Sequence, residues 1–214
     1  MKITLLCSDP KHPVNAYLKP WMSVQQGVHE VELLQSKSQL SGGDLLFLVS
    51  CSEIIKEADR KKYLATLVLH ASDLPKGRGW SPHIWEIVDG AEHITLSLLE
   101  AEDKVDSGRI WAKRQIPVPK DALWNEINHL LFTAEIELID LAVKQFGQLT
   151  PVLQPNVEEA TYYPKRTPQD SQLDPNKTIA EQFNRIRVCD PKRFPAFFDL
   201  HGKKYKLILE KLDD

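Results

Sequence analysis

His70 closes a run of strand-forming residues, Thr66-Leu67-Val68-Leu69, and a basic, glycine-bearing loop, "ASDLPKGRGWSP", follows at once. An imidazole at the carboxyl edge of a strand is well placed for chemistry, because open α/β sheets bind ligands beyond that edge. It gives or takes a proton near neutral pH. To act catalytically it needs a group that orients it, and a carboxylate is the usual one. Asp106 is the attractive candidate. Its turn, "DKVDSG", carries Asp103, Asp106 and Gly108 and can bend back over a neighbouring strand end. On spacing alone the plainer reading is a strand-capping histidine and an Asx-turn aspartate, since lone residues of both types are common.

The elements that would position these groups alternate along the first half of the chain. Ile3–Cys7, Val31–Leu34, Leu45–Ser50 and Thr66–His70 are predicted strands. Three of them are almost continuously apolar, as a parallel sheet covered by helices on both faces requires. Crossover helices are predicted over 15–27 and 53–63, and a short helix over 82–89. His93–Glu100 and Arg109–Val118 alternate in polarity and flank a turn-rich stretch, which predicts an antiparallel pair at one side of the sheet. A long helix is predicted over 122–146, with Asp121 as N-cap and Gly147 ending it. The following "LTPVLQPNVEEATYYPKRTPQDSQLDPNK" holds five prolines and little periodicity, so it is predicted to be a long loop or linker. A helix over 175–188, with Asp174 before Pro175 at its start, and a hairpin around Gly202 complete the expectation.

A chain of 214 residues can bury one sizeable core, or one α/β domain with a small appendage. The net charge of -3 argues against a nucleic-acid carrier, whose footprint is usually basic. Cys7, Cys51 and Cys189 are odd in number and widely spaced, which suits a reducing, cytoplasmic setting better than a disulfide framework. The apolar part of "MKITLLCSDP" is short for a signal peptide, and no segment has the length of a membrane span. The histidines are scattered, without the ligand-like spacing a metal site needs.

"LHASDLPKGRGWSPHIW", followed by "ITLSLLEAEDKVDSGRIW", resembles the folate-dependent formyltransferase family, whose members share an HxSxLPxxRG loop and a later D[TSA]G turn. The likeness reaches back to "DLLFLVSCSEII" and forward to "YYPKRTPQDSQLD", so it spans about Asp44 to Arg187. It implies an α/β, Rossmann-like fold: a mostly parallel sheet flanked by helices, with a small C-terminal helix and hairpin extension. Residues 1–150 would form the catalytic domain. Residues 151–214 would form a linker loop, helix and hairpin subdomain completing the substrate site.

The resemblance also implies an activity, the transfer of a formyl group from N10-formyltetrahydrofolate to an amine. His70 matches the histidine that stabilises the oxyanion and takes part in proton transfer, and Asp106 the aspartate that orients it. The folate would lie against Ser52, Glu53, Ile54 and Ile55 on one side and the loop holding Asp103 on the other. One position departs from the family pattern, which reads Asn-x-His at this strand end. Here that asparagine is Val68, which donates nothing. Ser72, Ser50 and Ser52 are conceivable replacements, and a catalytically silent homologue is the alternative.

Three acceptors are separable by their physical requirements. A methionyl-tRNA acceptor calls for a basic C-terminal domain to hold phosphates, and the segment after the long helix is mixed in charge. Glycinamide ribonucleotide calls for a glycine-rich phosphate turn after the first strand, where this chain reads "CSDPKHPVNAY". A nucleotide-linked sugar needs cations for a diphosphate and aromatic groups for a base. Arg78, Tyr163, Lys165 and Arg166 are candidates, with Lys11 and Asn15 as substrate wall. The resemblance is closest to formyltransferases acting on UDP-linked 4-amino-4,6-dideoxy sugars of bacterial surface glycans, and implies pairing of two copies through the C-terminal hairpin.

Overall fold

The computed structural model describes residues 1–212, so the last two residues of the expected C-terminal subdomain lie outside the description. Strands β1 (Lys2–Leu6), β2 (Glu30–Leu34), β3 (Gly43–Leu48) and β4 (Tyr63–His70) run parallel in the order β2-β1-β3-β4. After a loop holding the two-residue strand β5 (Arg78–Gly79), β6 (His93–Glu100) and β7 (Ile110–Pro117) join beside β4 as an antiparallel pair. The sheet is thus mixed, parallel over β2-β1-β3-β4 and antiparallel at one side.

Helices α1 (Asn15–Gln25), α3 (Pro82–Val88) and α4 (Trp124–Lys144) cover one face. Leu18, Trp21, Ile87, Leu131 and Leu138 meet Leu5, Leu67, Leu69 and Leu98 there. The opposite face holds a smaller cluster of Leu6, Leu46, Leu48, Ile55 and Tyr63, beside the single turn of α2 (Glu57–Arg60). Alternation along β4 divides its side chains between these faces. Leu67 and Leu69 enter the large core, while Val68 packs with the opposite clusters. His70, two residues on, shares the Val68 side at the strand's carboxyl edge.

Local chemistry shortens three predicted helices. Residues 53–56 do not join α2: Glu53 accepts from the Lys37 amide, and the Ile55 carbonyl accepts from Arg60, so side chains hold this stretch as a loop. Helix α4 starts at Trp124 because the Glu126 carboxylate caps the Leu123 amide, whereas Asp121 pairs with Lys211. The last helix, α5 (Ile179–Arg187), begins after a capping box of Thr178 and Glu181, and Asp174 instead accepts from the Asn176 amide.

The proline-rich segment is not a free linker. Val152 pairs with Ile110, and β8 (Tyr162–Tyr163) runs parallel to β5, so residues 152–163 strap the loop after β4. Strands β9 (Ala196–Leu200) and β10 (Lys203–Leu207) form the hairpin expected around Gly202. Among the described residues, no helix is long and apolar enough to cross a membrane.

Candidate active site

The end of β4 and the turn between β6 and β7 bring His70 and Asp106 together, with Nδ1 of His70 3.6 Å from Oδ2 of Asp106. That separation lies just outside a hydrogen bond. Only a small part of each side chain, 8% of its area, reaches the surface. Nε2 of His70 is 2.8 Å from the Gly77 carbonyl oxygen. A carbonyl only accepts, so Nε2 carries a proton and Nδ1 is the nitrogen free to exchange one. The Gly79 amide donates to the same Asp106 oxygen at 2.9 Å, fixing the carboxylate opposite the ring.

Two backbone features make this meeting achievable. Asp106 adopts φ +52°, a left-handed conformation uncommon outside glycine, which turns its carboxylate back over β4. Gly79 has φ +96°, and a Cβ there would stand 2.4 Å from the Tyr163 carbonyl oxygen. Alanine at position 79 would meet both the left-handed penalty and a backbone clash. Gly79→Ala is expected to destabilise the protein by about 2–4 kcal/mol, read as a lower urea midpoint. An unchanged midpoint would mean that β5 and β8 are not packed as described.

The remaining predicted residues fall into distinct places. Val68 is packed among Leu74, Leu99 and Ile110. Of the serines considered in place of asparagine, Ser72 is fully buried with no partner for Oγ among the described residues, and Ser52 is bonded to Ser8. Ile54 is 68% exposed, whereas Ile55 belongs to the core cluster under α2, so its side chain is packing rather than pocket lining. The expected folate loops are joined by a residue not foreseen from sequence. Arg60 donates to the Ile55 carbonyl at 2.9 Å and to the Asp103 carboxylate at 2.8 Å.

Arg78 requires a correction. It is 2% exposed, donating through Nη1 to the Tyr162 hydroxyl and through Nη2 to Gln154, so its guanidinium supports the loop from within. Asn15 is likewise buried. Its amide donates to the carbonyls of Asp9 and His12, folding the loop after β1. Lys11 lies exposed on that loop, which Arg193 clasps through Asp9 at 2.7 Å. Tyr163 stacks on Trp85 with ring centroids 6.2 Å apart, and Lys165 lies over Trp80 at 5.0 Å. Arg166 faces Phe194 and donates to Ser171.

Two titratable groups on α3 escaped the sequence reading. Burial pushes His83 down to about 3, with His70, Arg166 and His12 adding in the same direction, so its imidazole is neutral at physiological pH. Burial also pushes Glu86 up to about 7, with Asp73 adding to it. A Cβ on Gly77 would lie 3.2 Å from a Glu86 oxygen, which places that carboxyl against the loop carrying the His70 partner. The only signal for either in sequence is its place on the short helix after the loop.

Residues 6–143 match the sequence profile of the formyl transferase family. Methionyl-tRNA formyltransferase of Lactococcus lactis subsp. cremoris (strain MG1363) is 31% identical over 148 residues, covering 68% of this chain and 45% of the relative. The chain spans about half the length of the curated relatives it matches. Among solved structures, methionyl-tRNA formyltransferase from Clostridium thermocellum superposes with a TM-score of 0.80 at 19% identity, over 96% of this chain and 97% of that one. A 4-N formyltransferase from Francisella tularensis gives 0.78 at 14%, over 100% and 98%. HypX from Aquifex aeolicus in complex with tetrahydrofolic acid gives 0.77 at 23%, over 95% and 36%. At such identities these structures establish the shared fold, mostly parallel and Rossmann-like. The profile and the curated relatives go further: the chain belongs to the formyl transferase family.

Proposed function

We propose that this protein transfers a formyl group from N10-formyltetrahydrofolate to the amine of a nucleotide-linked aminodeoxy sugar. The observation that carries the reading is the convergence of His70 and Asp106 from the two family motifs. In the proposed reaction the amine nitrogen bonds to the formyl carbon and gives up a proton, and the bond from that carbon to the folate nitrogen breaks as that nitrogen takes a proton up. The formyl donor supplies the activated carbon. His70, with Nε2–H committed to Gly77, exchanges its proton through Nδ1. Asp106, its carboxylate held by the Gly79 amide, favours the positive ring that meets a developing oxyanion. With Val68 in the asparagine position, His70 carries that charge with main-chain or water donors.

Folate binding is proposed between residues 52–55 and 102–105, and the Arg60 bridge supports it by tying the two loops to one another. For the acceptor, Trp85, Tyr163, Trp80 and Lys165 offer aromatic plates with a cation, and Arg166 and Arg193 add charge suited to a diphosphate. A structural neighbour described as a sugar N-formyltransferase, from Shewanella sp FDAARGOS_354, matches over 100% of both chains with a TM-score of 0.74 at 15% identity, which supports a sugar acceptor. A UDP-4-amino-4,6-dideoxy sugar, such as the N-acetyl-altrosamine derivative, is the first compound to test. The same reading has two copies pair through β9 and β10, whose Leu200 and Tyr205 are exposed.

Methionyl-tRNA is the second reading, favoured by the 31% identity to the Lactococcus enzyme. The test incubates the protein with N10-formyltetrahydrofolate and, separately, UDP- and dTDP-linked aminosugars or methionyl-tRNA, with products resolved by mass spectrometry. A formylated aminosugar is the expected result. Formyl-methionyl-tRNA instead would replace the sugar reading. Formate release without acceptor would make the protein a hydrolase, and calorimetric binding without turnover would make it a silent homologue.

A further inference from the structure

The left-handed backbone of Asp106, at φ +52°, is uncommon for a non-glycine residue and persists where neighbours over-determine it. Those neighbours include Gln154, which is 7% exposed and comes from the proline-rich segment. Its side-chain amide is used on both ends. Nε2 donates to the main-chain oxygens of Asp106 at 2.8 Å and of Gly108 at 2.9 Å. Oε1 accepts from Arg78 Nη2 at 2.6 Å. One primary amide has two hydrogens, and here each meets one carbonyl, on either side of Ser107.

Arg78 closes the circuit. Its guanidinium is buried with a tyrosine hydroxyl and an amide oxygen as partners, and its Nε has none among the described residues. The next residue, Gly79, donates its amide to the Asp106 carboxylate. The loop after β4 therefore reaches Asp106 twice, directly through Gly79 and indirectly through Arg78 and Gln154. The direct bond fixes the carboxylate, and the indirect one fixes the backbone that aims it. The amide suits this role because it accepts from a cation while donating to two carbonyls, which neither a carboxylate nor an aliphatic side chain does.

We propose that Gln154 is a positioning residue for the reaction: it holds the Asp106–Gly108 turn so that the Asp106 carboxylate faces His70. It contacts neither His70 nor a reacting atom. The inference rests on the reading of His70 and Asp106 as the formyl-transfer pair, and it adds that the segment after α4 completes the catalytic geometry.

Gln154→Glu isolates the claim. The variant keeps the size of the side chain and gives Arg78 a charged partner, so the fold is expected to hold, but it removes both donors to the turn. In a crystal structure of Gln154→Glu, Asp106 is expected to leave its left-handed conformation and its carboxylate to move by about 1 Å from His70. A displacement of that size lowers kcat about a hundredfold, while KM for both substrates changes little. Gln154→Met, which cannot repel the turn, is expected to show the same displacement. Asp106 unmoved in both variants, or kcat within threefold of the native protein, overturns the inference. The crystallographic arm needs no turnover, so if the native protein formylates nothing, the functional reading fails while the positioning claim is still decided.

Discussion

Asp106→Asn is expected to lower kcat for formyl transfer about 10³–10⁴-fold, the scale seen when an aspartate that orients a catalytic histidine is neutralised. The geometry makes this substitution informative. The oxygen that accepts from the Gly79 amide is the one that faces His70. An asparagine keeps that bond only with its carbonyl oxygen in the same place, because its NH2 group would confront the Gly79 N–H. The shape of the site is then retained and only the negative charge is lost, so the fall in rate measures electrostatics rather than collapse. His70→Ala is expected to fall by a similar factor. The double variant should be no worse than about the poorer single, because two groups working as one unit are not additive. Steady-state rates of the three proteins test this. Asp106→Asn within tenfold of native, or multiplicative losses in the double variant, would show that the pair does not act together.

Local pattern places His70 and Asp106 at strand edges and the family resemblance makes them a pair, while the reason their support is not legible is one of range. His70 sits where an apolar run ends, and Asp106 sits in a turn between two alternating runs, so local patterns place both at strand edges. The bonds that hold them link distant positions: Gly79 to Asp106, Gln154 to Gly108, and Thr161 to Gly77. No periodicity in "LTPVLQPNVEEATYY" announces that Gln154 points inward. Arg78 illustrates the same limit with the opposite outcome. A guanidinium in a glycine loop suggests a phosphate ligand, and only the docking of residues 152–163 shows that it is enclosed. The shortened helices have a related cause. Asp121 and Asp174 have the residue type for an N-cap, but a competing cation in one case and a local turn in the other take up their oxygens. Type is readable locally, whereas the partner is decided by the fold.

The second large effect concerns stability and lies away from the reaction centre. Glu135, on α4, is 5% exposed, one of its carboxyl oxygens has no partner among the described residues, and burial pushes its pKa up to about 8. In the unfolded chain the same group titrates near the ordinary glutamate value. Between those values the native state holds a proton that the unfolded state has released. The contribution of Glu135 is therefore fully present at low pH and is lost as pH rises towards about 8. The loss across pH 5 to 8 is on the order of 3 kcal/mol. Half-buried Glu86, raised to about 7, acts in the same direction. His12 and His83, pushed down by burial to about 4 and about 3, act oppositely, withdrawing stability as pH falls below the ordinary histidine range. Native stability should thus pass through a maximum on the mildly acidic side of neutrality. Glu135→Gln stays neutral throughout and preserves the side-chain volume. Its urea-derived stability should match the native protein more closely at pH 5 and exceed it at pH 8, with a flatter decline between. Parallel curves for the two proteins across that range would mean that Glu135 is ionised in the folded state, and that the interface of α4 with the core admits water or a cation beside it.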